Sequence, residues 1–352
     1  MKKKISVLPG DGIGPEIIQE AVKVLDAVAK AYDHEFDYTY ADMGAIAINK
    51  TGSPLPEATL KLSLESDAVL FGAIGDPKYD NDPNAKVRPE QGLLAIRKAL
   101  GLFCNIRPVK TFDALLHQSP LKEERVKGTD FEIYRELTGG IYFGDKKLSV
   151  DKNTASDLCQ YTKAEIERIA HKAFAAARKR RNVLTLVDKA NVLESSRLWR
   201  RVVTAMHQET YSDVELRYLF VDNAAMQMIL APNQFDVMLT SNLFGDIISD
   251  EGSVIGGSIG LLPSASVGET HALFEPIHGS FPQGAGKGIA NPIAMILSAA
   301  MMLTHFDMDK EATAVRAAVE LALAKGVCTP ELFPENNYVA SDVGDFIANN
   351  IA

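Results

Sequence analysis

The chain has 352 residues and a formal net charge of −9, with an ordinary balance of apolar and charged residues. This length supports a full hydrophobic core and predicts two domains, and the acidic charge argues against a nucleic-acid or anionic-membrane partner. Three scattered cysteines, a first apolar stretch too short for a signal peptide and no apolar run of membrane-spanning length together favour a cytoplasmic protein.

The first predicted element is a strand, Lys4–Leu8, which leads through the glycine-rich turn 9–14 into a helix. The turn has the spacing G-x-G-x-G, whereas the dinucleotide fingerprint requires G-x-G-x-x-G. Pro15 suits a first helical position, and Glu16 suits the positive end of the helix dipole. A tight turn that needs glycine backbone angles explains this segment as well as a ligand contact does.

Apolar β-like runs then alternate with helical patterns, which predicts an α/β fold with parallel strand pairs. The long segment 75–88, rich in Asp, Asn and Pro, predicts a functional non-helical loop, and the segment 138–149 predicts a hairpin. The predicted strands are Lys4–Leu8, Ala68–Ala73, Val183–Asp188, Leu216–Val221 and Val237–Thr240, and the main predicted helices are Glu16–Ala31, Lys163–Arg180, Arg197–Gln208, Asn223–Leu230 and Pro292–His305.

Three aspartates are candidate metal ligands. Asp246 and Asp250 are four residues apart after a predicted strand, so a helix would place both carboxylates on one face. A hard cation such as Mg²⁺ or Mn²⁺ would relieve their repulsion, although a solvated acidic helix face is the commoner meaning of such a pair. Asp222 also follows a predicted strand, where sites are often built.

Other polar residues occur in unusual settings. Lys189 ends a predicted strand, where it is either a solvated charge or a partly buried base, and Tyr142 lies in a glycine-rich segment, where packing is the commoner role. A cluster of arginines would indicate a ligand with two or three carboxylates, although each arginine alone is as well explained as a surface charge. The arginines concerned are Arg97, Arg107 and Arg135.

The predicted helix that begins near Glu90 carries Glu90, Leu93, Leu94 and Arg97 on one face. This spacing usually indicates a stripe that faces the core, but a stripe with a charge at each end would also suit a pocket wall with an apolar middle. Further along the chain, the glycine-rich segment 274–292 is not a P-loop, because Lys287 is followed by glycine. Its backbone N–H groups could still bind a phosphate-bearing ligand.

Together these segments closely resemble the isocitrate/isopropylmalate dehydrogenase family of β-decarboxylating dehydrogenases, and the resemblance extends from Lys4 to the last helix. The family's fold is not a Rossmann fold, and it implies two α/β domains with a cleft between them. The implied boundaries are 1–102 plus 256–352 for the first domain, which carries most of the cofactor site, and 103–255 for the second. The segments that carry the resemblance are 8–16, 135–144, 187–194, 242–250, 260–266 and 278–292.

The resemblance implies NAD-dependent oxidative decarboxylation of 3-isopropylmalate in leucine biosynthesis, with Mg²⁺ or Mn²⁺ and with active sites shared across a homodimer. It implies that Tyr142 and Lys189 act in catalysis and that Lys189 and Asp222 come from the partner subunit. The segment 75–90 would border the nicotinamide. The implied metal ligands are Asp222, Asp246 and Asp250; the substrate-binding residues are Glu90, Leu93, Leu94, Arg97, Arg107, Arg135, Val192 and Asp222; and the cofactor-binding residues are Ile13, Gly75, Glu275, His278, Gly279, Ser280, Gln283, Ala285, Gly286 and Asn291.

One position departs from the family pattern. NAD-specific members usually have aspartate where this chain has Gln283, and glutamine lacks the negative charge that would repel the 2′-phosphate of NADP. The alternatives to isopropylmalate are isocitrate, homoisocitrate and tartrate, which sister enzymes oxidise. An inactive regulatory subunit is disfavoured because the tyrosine, the lysine and all three aspartates are present.

Overall fold

The computed structural model describes residues 1–81 and 85–352. Its strands are β1 (Lys2–Gly10), β2 (Glu35–Tyr40), β3 (Ala68–Ala73), β4 (Cys104–Lys110), β5 (Asp130–Glu136), β6 (Lys146–Leu148), β7 (Ala155–Asp157), β8 (Val183–Asp188), β9 (Glu215–Phe220), β10 (Val237–Thr240), β11 (Pro263–Val267) and β12 (Ala272–Pro276). Its α-helices are α1 (Gly14–Tyr32), α2 (Ala45–Thr51), α3 (Glu57–Glu65), α4 (Pro77–Asp80), α5 (Glu90–Ala99), α6 (Glu123–Val126), α7 (Lys163–Lys179), α8 (Glu194–Thr210), α9 (Val221–Leu230), α10 (Asn242–Ile255), α11 (Ile293–His305), α12 (Asp309–Ala324) and α13 (Ala340–Asn349).

The chain divides into two compact units. The first comprises 1–102, 112–118 and 258–352, and the second comprises 103–111 and 119–257. The sequence-based boundaries place 112–118 in the second domain, but this segment joins the first unit because its 3₁₀-helix, Asp113–Gln118, packs on α12. The second unit also extends to Gly257, two residues beyond the expected boundary.

The first unit contains a sheet in the order β2-β1-β3-β12-β11, parallel except for the β11–β12 pair. Every residue of β3 is buried, as expected for a strand covered on both faces. Helix α1 packs against β3, α11 and α13. The apolar run 293–303 forms part of α11 and is mostly buried, as expected for a core helix. Among the described residues, no helix combines the length and apolar character needed to cross a membrane.

The second unit contains a sheet in the order β4-β5-β10-β8-β9, in which the last four strands are parallel. Parallel pairing brings the carboxyl ends of β5, β10, β8 and β9 to one edge, since Thr240 pairs with both Arg135 and Val187. The segments that carry the predicted catalytic and metal-binding residues follow these strand ends.

Most predicted elements are confirmed; the strands 68–73, 183–188 and 237–240 have the predicted bounds. Two local predictions were wrong. The segment 138–149 is not one hairpin: Gly140–Tyr142 forms a 3₁₀-turn, and the hairpin joins β6 to β7. The segment 75–88 is not wholly non-helical, because Asp76 accepts a hydrogen bond from Lys78 N and so caps α4. Part of that predicted loop, 82–84, lies outside the described residues.

Candidate active site

Two aspartate–arginine pairs join helix α10 to strands β4 and β5 of the second unit. Arg107 on β4 donates to Asp250 Oδ1 and to Ser249 Oγ, each at 2.8 Å. Arg135 on β5 donates to Asp246 Oδ1 at 2.5 Å. Helix α10 therefore presents both carboxylates, one turn apart, to arginines on adjacent strands. The geometry suits a site that handles a carboxylate substrate and a cation together.

Arg135 is held from a second side by Asn242, the first residue of α10. Asn242 Oδ1 accepts hydrogen bonds from Arg135 Nε at 3.2 Å and from Nη2 at 2.9 Å, and its Nδ2 donates to Gly139 O at 3.2 Å. Both side chains are buried. Asn242 therefore fixes the plane of the guanidinium and connects it to the turn before Tyr142.

Tyr142 lies beside the same aspartate. Its hydroxyl donates to Asp246 Oδ2 at 2.7 Å, and the Arg135 guanidinium lies 6.0 Å from the centre of its ring. Partial burial raises the pKa of Tyr142 above its usual value, and the hydrogen bond to Asp246 adds to this effect. The hydroxyl is therefore protonated at neutral pH and can donate a proton.

A buried carboxylate shapes the turn that carries Tyr142. Glu136, which is fully buried, accepts hydrogen bonds from Thr138 N, Thr138 Oγ1 and Gly139 N at 2.6–3.0 Å, and it pairs with Arg168 at 3.3 Å. Gly140 has a φ of +75°, and a Cβ there would lie 2.2 Å from the hydroxyl oxygen of Tyr161. Only glycine fits that position.

Lys189 and Asp222 form a separate pair. Lys189 Nζ lies 2.8 Å from Asp222 Oδ1 and 5.7 Å from the centre of the Phe220 ring. The hydrogen bond from Lys189 lowers the pKa of Asp222. Val192, on the segment that follows Lys189, is exposed.

The donor set partly fits the implied metal. Asp246 and Asp250 supply the oxygen ligands that Mg²⁺ and Mn²⁺ prefer. Within the part of the chain that the structure describes, however, no three acidic, histidine or cysteine side chains come together, so Asp222 of the same chain does not complete the set. A third carboxylate from another chain is consistent with this arrangement.

In the first unit, three segments that contain predicted cofactor residues are joined by hydrogen bonds. Ser280 Oγ donates to Gly75 O at 2.7 Å, and Ser280 O accepts from Ile13 N at 2.8 Å. The approach is close: Gly12 has a φ of +58°, and a Cβ there would lie 2.0 Å from Ser280 O. The glycines of the opening turn thus allow backbone segments to meet.

The predicted cofactor segment after β12 has several anchors. Glu16 of α1 accepts hydrogen bonds from Gly286 N and from Gly288 N, the latter at 3.2 Å. Asn291 Nδ2 donates to Glu331 at 2.9 Å. Burial lowers the pKa of His278, so its imidazole is neutral at neutral pH. The remaining predicted residues, Gly279, Gln283, Ala285 and Gly286, are exposed.

The residues of α5 that are predicted to line a pocket differ in their exposure and in their contacts. Leu94 is 59% exposed, whereas Leu93 is partly buried and packs against the core cluster that contains Phe71. Arg97 Nη2 donates to Glu275 Oε1 at 2.5 Å, which joins a predicted substrate residue to a predicted cofactor residue. Glu90 lies beside Gly75: a Cβ on that glycine would be 3.2 Å from Glu90 Oε1.

Four polar residues that organise these positions lie outside the predicted site residues. Their common property is that their side-chain oxygens accept hydrogen bonds from backbone N–H groups or arginines. Glycines near each of them, at 10–14, 139–140 and 245, were the available signal, because they mark close backbone approach. The four residues are Asp11, Glu16, Glu136 and Asn242.

Comparisons with known proteins identify the family of this chain. The model of the family described as "Isocitrate/isopropylmalate dehydrogenase" matches residues 4–347. A 3-isopropylmalate dehydrogenase of Bacteroides fragilis is 56% identical over 100% of this chain and 99% of its own, and one of Aquifex aeolicus is 56% identical over 95% and 93%. The crystal structure of isocitrate dehydrogenase from Methylococcus capsulatus has a TM-score of 0.86 and 34% identity over 99% of both chains. The chain therefore belongs to the isocitrate/isopropylmalate dehydrogenase family.

Proposed function

We propose that this chain oxidises 3-isopropylmalate and removes its β-carboxylate as CO₂, giving 4-methyl-2-oxopentanoate, with NAD and a divalent cation, Mg²⁺ or Mn²⁺, as cofactors. The observation that carries the proposal is the set of contacts that Arg107, Arg135 and Tyr142 make with Asp246 and Asp250 of helix α10. It combines carboxylate recognition, hard cation ligands and a proton donor. The 56% identity of this chain to 3-isopropylmalate dehydrogenases supports 3-isopropylmalate as the substrate rather than isocitrate.

Each group of site residues has its own role in the proposed reaction. Arg97, Arg107 and Arg135 bind the two carboxylates and orient the C2–H bond. Lys189 assists removal of the proton from the C2 hydroxyl, and Tyr142 donates a proton to C3 after the bond to the departing carboxylate breaks. When bound, NAD supplies the hydride acceptor, and the cation held by Asp222, Asp246 and Asp250 supplies a Lewis acid at the C2 oxygen.

The active unit in this proposal is a cytoplasmic homodimer in which Lys189 and Asp222 of one chain complete the site of the other. Two observations support it: Asp222 does not join the other two aspartates within one chain, and neighbouring helices α9 and α10 expose apolar side chains. The exposed side chains are Met226, Ile229, Leu230, Ile247 and Val254.

Steady-state assays with 3-isopropylmalate, isocitrate and malate, each with NAD and NADP, test the proposal. We expect the highest kcat/KM with 3-isopropylmalate and NAD, loss of turnover in excess chelator and recovery with Mg²⁺ or Mn²⁺. Gln283 brings no negative charge to repel the 2′-phosphate of NADP. We therefore expect the preference for NAD over NADP to be weaker than in enzymes that have aspartate at this position. Turnover of isocitrate equal to that of 3-isopropylmalate, or full activity of metal-free protein, would contradict the proposal.

A further inference from the structure

Asp11, in the opening turn, is a buried carboxylate bound by backbone amides of two other segments. Its side chain is 6% exposed. Oδ2 accepts hydrogen bonds from Ala45 N at 2.9 Å and Gly75 N at 3.0 Å, and Oδ1 accepts one from Ile46 N at 3.0 Å. Gly44 is required beside it, because a Cβ there would lie 2.4 Å from Oδ2.

These bonds close a circuit around the predicted cofactor residues. The Asp11 side chain holds Gly75 N, Gly75 O accepts from Ser280 Oγ, and Ser280 O accepts from Ile13 N, two residues after Asp11. The Asp11 backbone is fixed as well, since its N–H donates to Ala73 O at 2.9 Å. Within the circuit, Asp11 is the side chain that connects the opening turn to Gly75 and to the start of α2.

We propose that Asp11 is a positioning residue of the cofactor site, which holds Gly75 and the opening turn in the arrangement that binds NAD. This inference rests on the proposed function. It assigns the Asp11 carboxylate no contact with the cofactor and no proton transfer. Its effect is preorganisation: without it, NAD binding would also have to order the segments at 13, 75 and 280.

The chemistry of the carboxylate predicts how strongly different substitutions of Asp11 should weaken NAD binding. Both oxygens face N–H donors, so an acceptor is needed at each. Asp11→Asn can keep one acceptor but turns an NH₂ group toward the remaining amide, whereas Asp11→Ala removes both acceptors and leaves buried amides without a partner. The loss of NAD affinity should therefore be larger for Asp11→Ala than for Asp11→Asn.

Asp67 provides a matched control in the same unit. Its Oδ2 also accepts a hydrogen bond from a backbone amide, Lys4 N at 2.8 Å, on the strand that leads into the opening turn. Unlike Asp11, it bonds to none of the predicted cofactor residues in the circuit. Asp67→Ala therefore removes one carboxylate–amide bond, from an exposed aspartate that also pairs with Lys3, without disturbing Gly75.

The experiment measures the Kd of NAD for purified wild-type, Asp11→Asn, Asp11→Ala and Asp67→Ala proteins by calorimetry, together with hydrogen exchange in the absence of cofactor. We expect Asp11→Ala to raise the Kd about tenfold or more, Asp11→Asn to raise it less, and both to deprotect the amide of Gly75. Asp67→Ala should deprotect the amide of Lys4 and leave the Kd unchanged.

Unchanged NAD affinity in folded Asp11→Ala protein, or an equal loss in Asp67→Ala, would overturn the inference. If Asp11→Ala does not fold, the same comparison between Asp11→Asn and the wild type decides, because unchanged affinity and Gly75 protection in that variant contradict positioning by the carboxylate. A wild type that binds no NAD would instead overturn the proposed function, and this inference with it.

Discussion

At the scale of single residues, the neighbours of the arginines matter as much as the arginines. Arg135 is oriented by Asp246 on one side and by Asn242 on the other. A single hydrogen bond to aspartate does not by itself define the plane in which two N–H groups of a guanidinium meet a carboxylate. The affinity of the site for a dicarboxylate should therefore depend on Asn242.

We expect Asn242→Ala to raise the KM for 3-isopropylmalate about tenfold or more, because losing a hydrogen bond to a charged group costs about 1.5–3 kcal/mol. The Kd of NAD should change little. Asn233→Ala is the control, since Asn233 also accepts a side-chain hydrogen bond and donates to a backbone carbonyl in the same unit. Equal effects of the two substitutions on KM would count against orientation by Asn242.

Leu94 is the more exposed leucine of α5 and can meet a substrate, since Leu93 packs against the core cluster. Burying the three carbons of an isopropyl group is worth roughly 2 kcal/mol at ~0.8 kcal/mol per carbon. We therefore expect Leu94→Asn to lower kcat/KM for 3-isopropylmalate more than for malate, measured in parallel assays, with little change in Tm. Leu93→Ser should also lower Tm. A uniform loss for both substrates in Leu94→Asn would exclude selective contact with the isopropyl group.

At the scale of elements, the opening turn 9–14 lies close to Gly75, to Ser280 and to the end of β3. Gly12→Ala would place a Cβ 2.0 Å from Ser280 O, whereas a Cβ on Gly52, which has a similar positive φ, would meet nothing within 4 Å. Both substitutions incur the cost of the left-handed conformation, about 1–2 kcal/mol. Denaturant unfolding should show the larger loss for Gly12→Ala, and only that variant should weaken NAD binding. Equal losses would mean that backbone strain alone explains the glycine.

Much at this scale could be predicted from the sequence, because buried parallel strands and amphipathic helices have strong periodic patterns. The strands 68–73, 183–188 and 237–240 are examples. The 3₁₀-turn at Tyr142 could not be predicted in this way, since it depends on the ring of Tyr161, which approaches from a distant segment, as well as on the neighbouring buried carboxylate of Glu136. The roles of Asp11 and Asn242 were hidden for the same reason: their partners are distant in sequence.

At the scale of the whole molecule, the proposed sharing of sites predicts complementation. Chains with Tyr142→Phe and chains with Lys189→Ala should each be inactive as homodimers. After random re-association, half of the dimers are mixed and each has one intact site, so activity should recover to about a quarter of the wild-type value.

The control mixes Lys189→Ala chains with Asp222→Ala chains. Both residues would serve the partner's site, so neither site of the mixed dimer is intact and no recovery is expected. Absence of recovery in the first mixture, with exchange demonstrated by mass spectrometry, would contradict site sharing.

The first unit is built mainly from the two ends of the chain, and this affects how the protein folds during its synthesis. Strand β3 pairs with β12, and α1 packs against α13, so the first hundred residues cannot complete their core before the chain end is translated. At about 5–20 residues per second, roughly ten to forty seconds of synthesis separate β3 from its partner strand. The second unit emerges within that interval and can fold first. Meanwhile β3, apolar on both faces and unpaired on one edge, is a template for aggregation. The yield of this protein in a foreign host should therefore depend on chaperones that bind the nascent chain early.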